Sequence, residues 1–231
     1  MPVVCRACEA RHRGICGALS PKQLTDLGKY THIENVKAGT ELFADGDRVT
    51  TYSNVLAGVV KLTKLLADGR QQIVGLQFAP DFMGRPFHSS RNVYAETAGD
   101  VLICSFPKAA IDRLISETPD LEHRILEQTL KELDEAREWM FALGRKSAIE
   151  KIASFLLLIA NHYDPEALDE SNSVTFDLPL KRSEIADFLG ITIETVSRNI
   201  TKLRKERIIV IENNRQITVP NLMRLEVRSG Q

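Results

Sequence analysis

The sequence predicts an α+β chain: an antiparallel β domain of many short strands, one long helix, and a C-terminal helix-turn-helix closed by a hairpin. Three observations predict it. Over residues 33–107, short apolar runs alternate with glycines. From Thr118 onward, apolar residues recur at heptad spacing. Over residues 182–198, a short amphipathic helix, a glycine and a capped second helix follow one another. The 231 residues are 43% hydrophobic and 26% charged, which excludes wholesale disorder and collagen-like repeats and leaves enough chain to bury a core without disulfide staples.

The first segment, residues 1–19, gathers Cys5, Cys8 and Cys16 with Arg6, Arg11, His12 and Arg13, and holds little apolar material for a fold of its own. The start has no apolar stretch behind basic residues, so no secretory signal is expected. The longest apolar run, residues 155–160, falls far short of the ~20 residues of a membrane helix. A reducing cytoplasm is therefore the expected compartment. There the four cysteines are thiols or metal ligands rather than disulfides.

The second segment, residues 20–117, opens on a helix. Ser20 is its cap, Pro21 its first residue and Gln23 the partner of a capping box, and it ends between Gly28 and His32. Strands follow, and Asp68-Gly69 between two apolar runs marks a hairpin. Many short strands with frequent turns predict a small antiparallel barrel or sandwich.

The third segment, residues 118–146, is the long helix, capped by Thr118, with Pro119 at its first position and a break at Gly144. Leu126, Thr129, Leu133, Ala136, Met140 and Leu143 step by three and four along one face. Such a seam packs either on the helix's own barrel or against the same helix of a second subunit. The small Thr129 and Ala136 suit close approach in a homodimer.

The fourth segment, residues 147–231, opens on an apolar helix over 147–161 that ends before Asp164-Pro165. A polar loop follows over 164–173, then a strand over 174–180. Ile185 and Leu189 lie one turn apart on the next helix, Ala186 is small where a second helix crosses, Gly190 supplies the turn, Thr192 caps and Val196 points back to the core. Glu194, Ser197 and Arg198 share one face at the second helix's N-terminal end, the end that enters a major groove. Arg bridges guanine O6 and N7, and Glu accepts from cytosine N4. Lys202, Arg204, Lys205 and Arg207 suit phosphates. Residues 178–210 hold seven basic and four acidic side chains, a local +3 in a chain of net charge −1. Residues 208–219, with Asn213-Asn214 at the turn, read as a wing. Asn199 stands where an apolar residue is usual, and Ile200 is the candidate to replace it in the core.

Barrel, seam helix and winged helix-turn-helix in this order resemble the cyclic-AMP receptor protein/FNR family of bacterial transcription factors, over residues 20–220. Gly39-x2-Leu42-Phe43-x2-Gly46-Asp47 and Gly58-x-Val60-Lys61-Leu62 match its β-roll signature, and Glu194-Thr195-Val196-Ser197-Arg198 matches the recognition helix of the FNR branch. The resemblance implies an N-terminal, cyclic-nucleotide-binding-like β-roll. It further implies a homodimer that reads TTGAT-N4-ATCAA-type palindromes through Glu194, Ser197 and Arg198, with Lys202 on the backbone. A contact with RNA polymerase is implied near residues 66–70. Arg85-Pro86 and Arg91-Asn92 depart from the phosphate cassette of cyclic-nucleotide binders, so no cyclic nucleotide is expected.

Cys5-x2-Cys8-x7-Cys16 with Cys104-Ser105-Phe106-Pro107 resembles the FnrN-like oxygen sensors. The resemblance implies Cys5, Cys8, Cys16 and Cys104 as ligands of an oxygen-labile [4Fe-4S] cluster, its negative charge offset by Arg6, Arg11 and Arg13. Four thiolates equally suit a structural zinc, and ligand identity alone leaves both open, as it does a regulator with another effector. No nucleophile–base pair or phosphate loop is readable and the five histidines form no ligand spacing, so no enzyme is expected.

Overall fold

The protein, seen in a computed structural model, is described for residues 5, 8–163, 172–213 and 215–230. Arg6, the helix stop at Asp164-Pro165, most of the polar loop after it and Asn214 of the wing turn lie outside these residues. The chain divides into two compact units, Met1–Ala136 and Arg137–Gln231, with the boundary inside the longest helix.

In the first unit, two four-stranded antiparallel sheets make the β-roll. One runs β1 (His32–Val36), β8 (Val101–Pro107), β3 (Thr51–Ala57), β6 (Phe82–Met83). The other runs β2 (Glu41–Phe43), β7 (Tyr94–Thr97), β4 (Val59–Leu65), β5 (Gln71–Phe78). The predicted turn at Asp68-Gly69 joins β4 to β5, with the Leu66 N–H donating to the Arg70 carbonyl at 2.8 Å. Strand alternation sorts the side chains of β3 and β8 between two cores. Val55, Val101 and Ile103 point into the roll with Val60, Met83 and Ala95. Tyr52 and Phe106 point to the outer face, where they meet Ile15, Leu19, Leu24, Leu27, Ile111, Leu114 and Leu121.

That outer core changes the reading of residues 1–19. The described residues among them do fold: α1 (Glu9–His12) and a 3-10 turn at Ile15–Ala18 bury Ala10, Ile15 and Leu19, and α1 packs against β3. Three apolar residues suffice because the sheet supplies the opposing surface. The helix α2 (Pro21–Gly28) carries the expected capping box: the Gln23 N–H donates to Ser20 Oγ at 3.3 Å, and the Ser20 N–H donates to Gln23 Oε1 at 2.9 Å. The sequence reading did not anticipate α3 (Lys108–Glu117), which begins without a side-chain cap and buries Ile111, Leu114 and Ile115. The long helix α4 (Pro119–Arg145) ends one residue past Gly144, where the break was expected, and the next helix starts at Ala148.

In the second unit, α5 (Ala148–Tyr163) is the apolar helix expected there, and α6 (Arg182–Leu189) and α7 (Ile193–Lys205) pack against each other. Phe188 lies at their centre, edge-on to Trp139 at 4.5 Å and to Phe155 at 5.8 Å. A sheet ordered β10 (Val210–Glu212), β11 (Gln216–Val219), β9 (Val174–Asp177) forms the wing. The strand β9 stops before the expected end at 180, ahead of Pro179, although Leu178 and Leu180 remain buried. A last helix, α8 (Leu222–Arg228), also went unanticipated. Among the described residues no helix is long and apolar enough to cross a membrane.

Candidate DNA-reading face and cysteine site

The turn between α6 and α7 follows from two residues. Gly190 takes φ +62°, a left-handed conformation that glycine adopts without a Cβ penalty, and its N–H donates to the Ala186 carbonyl. Thr192 then caps α7, its Oγ1 accepting from the Thr195 N–H at 3.3 Å. The helix buries Val196, Ile200 and Leu203. Ile200 does take the core position, and Asn199 turns its amide back onto the Thr195 carbonyl at 2.9 Å, which removes the polar misfit.

With that face buried, Glu194, Ser197, Arg198 and Lys202 are all exposed on the other, as are Arg204, Lys205 and Arg207. The Glu194 carboxyl is held below its usual range, first by its own backbone N–H, then by Thr192 and the nearby Arg198. It is ionised and can only accept, which suits a cytosine amino group.

The cysteine site assembles on the outer face of the β-roll. Cys104 lies on β8, one residue from the inward-facing Ile103, so it faces out toward the docked N-terminal segment. Cys16 sits in the 3-10 turn against the same core. Burial pushes the Cys16 thiol up to about 12, with Cys8 and Cys5 adding to the rise. Burial likewise pushes Cys104 up to about 12, with Cys16, Cys8 and Cys5 adding. Cys5 is raised by burial and Cys8 and lowered by Arg11. The four cysteines are therefore mutual neighbours, although 88 residues separate Cys16 from Cys104 in the chain. Among the described residues, no three His, Cys, Asp or Glu side chains converge closely enough to hold a single metal ion. Of the three arginines expected to offset cluster charge, Arg11 acts on Cys5, and Arg6 lies outside the described residues.

Of the seam on α4, Leu126, Thr129, Leu133, Ala136 and Met140 are exposed in the single chain and Leu143 is half-buried. Leu130 and Phe141, which the heptad reading passed over, are exposed beside them.

A cavity of about 200 Å³ opens in the β-roll, lined by Phe43, Leu62, Gln77, Phe82, Arg91 and Glu132 among others. Arg91 is already engaged there: it donates to the Thr51 carbonyl at 2.6 Å and lies over the Phe43 ring at 4.0 Å.

Residues 150–228 match the Crp-like helix-turn-helix domain, and residues 33–118 match the cyclic nucleotide-binding domain. The chain is 40% identical to the transcriptional activator protein FnrL of Cereibacter sphaeroides, over 98% of this chain and 92% of that one. The chain belongs to the CRP/FNR family of transcription regulators. The chain is 55% identical to a "Probable transcriptional activator" of Rhizobium leguminosarum bv. viciae, over 97% of this chain and 92% of that one. The structure of FixK2 from Bradyrhizobium japonicum superposes with a TM-score of 0.76 at 27% identity, covering 85% of this chain and 96% of that one. The protein is thus a DNA-binding transcription regulator of the CRP/FNR family, a family that acts typically as dimers.

Proposed function

We propose that this activator responds to oxygen through a [4Fe-4S] cluster held by Cys5, Cys8, Cys16 and Cys104. As a cytoplasmic homodimer it reads TTGAT-N4-ATCAA-type palindromes and activates genes for anaerobic and microaerobic life. The observation that carries this reading is the meeting of all four cysteines on one face of the β-roll. Thiol donors suit iron–sulfur clusters and zinc alike. Tetrahedral zinc draws four sulfurs to within ~2.3 Å of one point.

When bound, the cluster supplies an oxygen-labile link between two distant parts of the chain. The protein's own residues carry that link to α4. Ile15 and Leu19 of the docked segment share one buried core with Leu121, in the first turn of α4, and Ile125 packs against it. Release of the segment uncovers that core and loosens the start of the helix that carries the seam. A coupling of about 1–3 kcal/mol between the two sites is enough to change DNA occupancy several-fold or more.

Glu194, Ser197 and Arg198 read bases, and Lys202 holds phosphate. The β4–β5 turn, where Arg70 Nε donates to Asp68 Oδ2 at 2.9 Å, is the polymerase-facing element.

The test is made on protein purified without oxygen. A brown protein with about four iron and four sulfide per chain, bleaching in air as operator binding falls, is the expected result. A colourless protein with one zinc, or none, and unchanged DNA binding in air would leave a CRP/FNR activator and remove the oxygen sensor.

A further inference from the structure

We infer that Asn54 is a positioning residue for the cysteine site: its side-chain amide donates a hydrogen bond to the Cys16 sulfur and thereby sets how readily the bound cluster loses an electron. The inference rests on the cluster reading above. Asn54 lies on β3, an inner strand of its sheet, and is fully buried. A buried amide in such a place is costly unless each polar atom has a partner. Its Nδ2 has one, Cys16 Sγ at 3.4 Å, while its Oδ1 has none among the described residues. An apolar residue would fill the position with less penalty, so packing alone does not account for an amide here.

The placement is specific. In the β3–β8 ladder Asn54 stands directly opposite Cys104, and strand alternation points both to the outer face beside Tyr52 and Phe106. The amide therefore lies between the cysteine contributed by the N-terminal turn and the cysteine contributed by the sheet. It hydrogen-bonds Cys16 from the sheet, and it already works against the upward push of burial on that thiol.

The consequence follows from charge. An N–H donor stabilises a thiolate more when the cluster it ligates carries the extra electron, because more negative charge then resides on sulfur. Removing the donor destabilises the reduced member of each redox couple. The reduction potential falls, and loss of one electron to O2 becomes more favourable. Partners in this position around metal sites typically change affinity or activity by about 10–100-fold.

The experiment uses full-length protein loaded with cluster under anaerobic conditions. Wild type is compared with Asn54→Leu, which keeps the volume and removes the donor, and with Asn54→Ser, which keeps a small polar group. The midpoint potential is measured by dye-mediated titration, and the rate of bleaching in dilute oxygen is followed by visible absorption. N54L is expected to show a lower potential and about ten-fold faster bleaching. Iron and sulfide are assayed in each protein and the rates compared per loaded cluster, and N54S should fall between the two. A second measurement needs no variant. Wild type labelled with 15N-asparagine is reduced and examined by pulsed EPR, and coupling of the electron spin to a single asparagine nitrogen is expected. A loaded N54L protein with an unchanged potential, or a labelled wild type without that coupling, overturns the role of Asn54 and leaves the sensor reading intact. A wild type that takes up no iron and sulfide overturns both.

Discussion

Arg198 and Glu194 lie one turn apart at the exposed end of α7, and the attraction between them contributes to the lowered carboxyl pKa. Each carries only one kind of hydrogen-bonding group, so each selects a base edge rather than merely tolerating it. Arg198→Ala should weaken operator binding by about 1–3 kcal/mol and relax preference at one base pair per half-site. Lys202→Ala should weaken all duplexes alike and flatten the salt dependence. Anisotropy titrations over single-base operator variants at two salt concentrations distinguish the two behaviours. At the cysteines, the sign of pH dependence follows from raised thiol values. The folded apoprotein favours protonated Cys16 and Cys104, so their contribution to stability is full below the ordinary thiol value of 9.0 and is lost as pH rises toward about 12. Melting curves should show wild-type apoprotein losing more stability above that value than a Cys16→Ala/Cys104→Ala variant. Equal losses would mean that the thiols are not held protonated by the fold. Both residue sets were legible in the sequence, because spacing on one helix and clustering within one segment are local signals. Asn54 was not: its meaning depends on the β3–β8 register and on where the N-terminal turn docks, and neither is written in nearby residues.

At the scale of the element, the N-terminal turn is held by close backbone approach as well as by apolar burial. A Cβ at Gly17 would stand 2.8 Å from the Arg11 carbonyl oxygen, and one at Gly14 would stand 3.0 Å from the carbonyls of Ala10 and Pro80. Backbone atoms do not yield as a long side chain does. Gly17→Ala should therefore shift the turn that carries Cys16, giving lower iron and sulfide content after identical anaerobic loading. Its DNA-binding unit should keep its far-UV dichroism. Full cluster content in that variant would show that the turn has slack. Gly58, between β3 and β4, has φ +85° and would bring a Cβ within 2.6 Å of the Asp100 carbonyl. Gly58→Ala should lower the melting temperature of the β-roll by several degrees, a loss of about 1–3 kcal/mol. The elements that sequence reading found have strong local punctuation: Ser20-Pro21 for α2, Asp68-Gly69 for the hairpin, Gly190 and Thr192 for the helix-turn-helix. The helix α3 lacks a side-chain cap, and α8, though capped by Asn221, is only seven residues long. Residues 1–19 read as too poor in apolar side chains because half of their core belongs to a sheet that begins later in the chain.

At the scale of the whole molecule, the exposed seam on α4 is what a dimeric regulator must cover. Leu126 and Leu133 are 53% and 43% exposed and Met140 is 73% exposed, a stripe too continuous to be scattered surface apolarity. Ala136 lies in the middle of it with Glu132, Asp134, Glu135 and Glu138 around it, so a further acid there adds like charge where two helices must approach. Ala136→Glu should yield a folded monomer by sedimentation, since the position is solvent-exposed in the single chain. That monomer should bind an isolated half-site as wild type does. It should lose about 100-fold or more on the full palindrome, because the second half-site contact is then no longer tethered to the first. Exposure of loaded wild type to air should reproduce this pattern, lower mass together with selective loss of palindrome binding, if the cysteine site acts through the shared Ile15–Leu19–Leu121 core. Loss of half-site affinity in air at constant dimer mass would place the switch in the orientation of the reading heads instead. The two outcomes separate because a half-site reports the chemistry of α7 alone, whereas the palindrome reports that chemistry multiplied by the integrity of the seam.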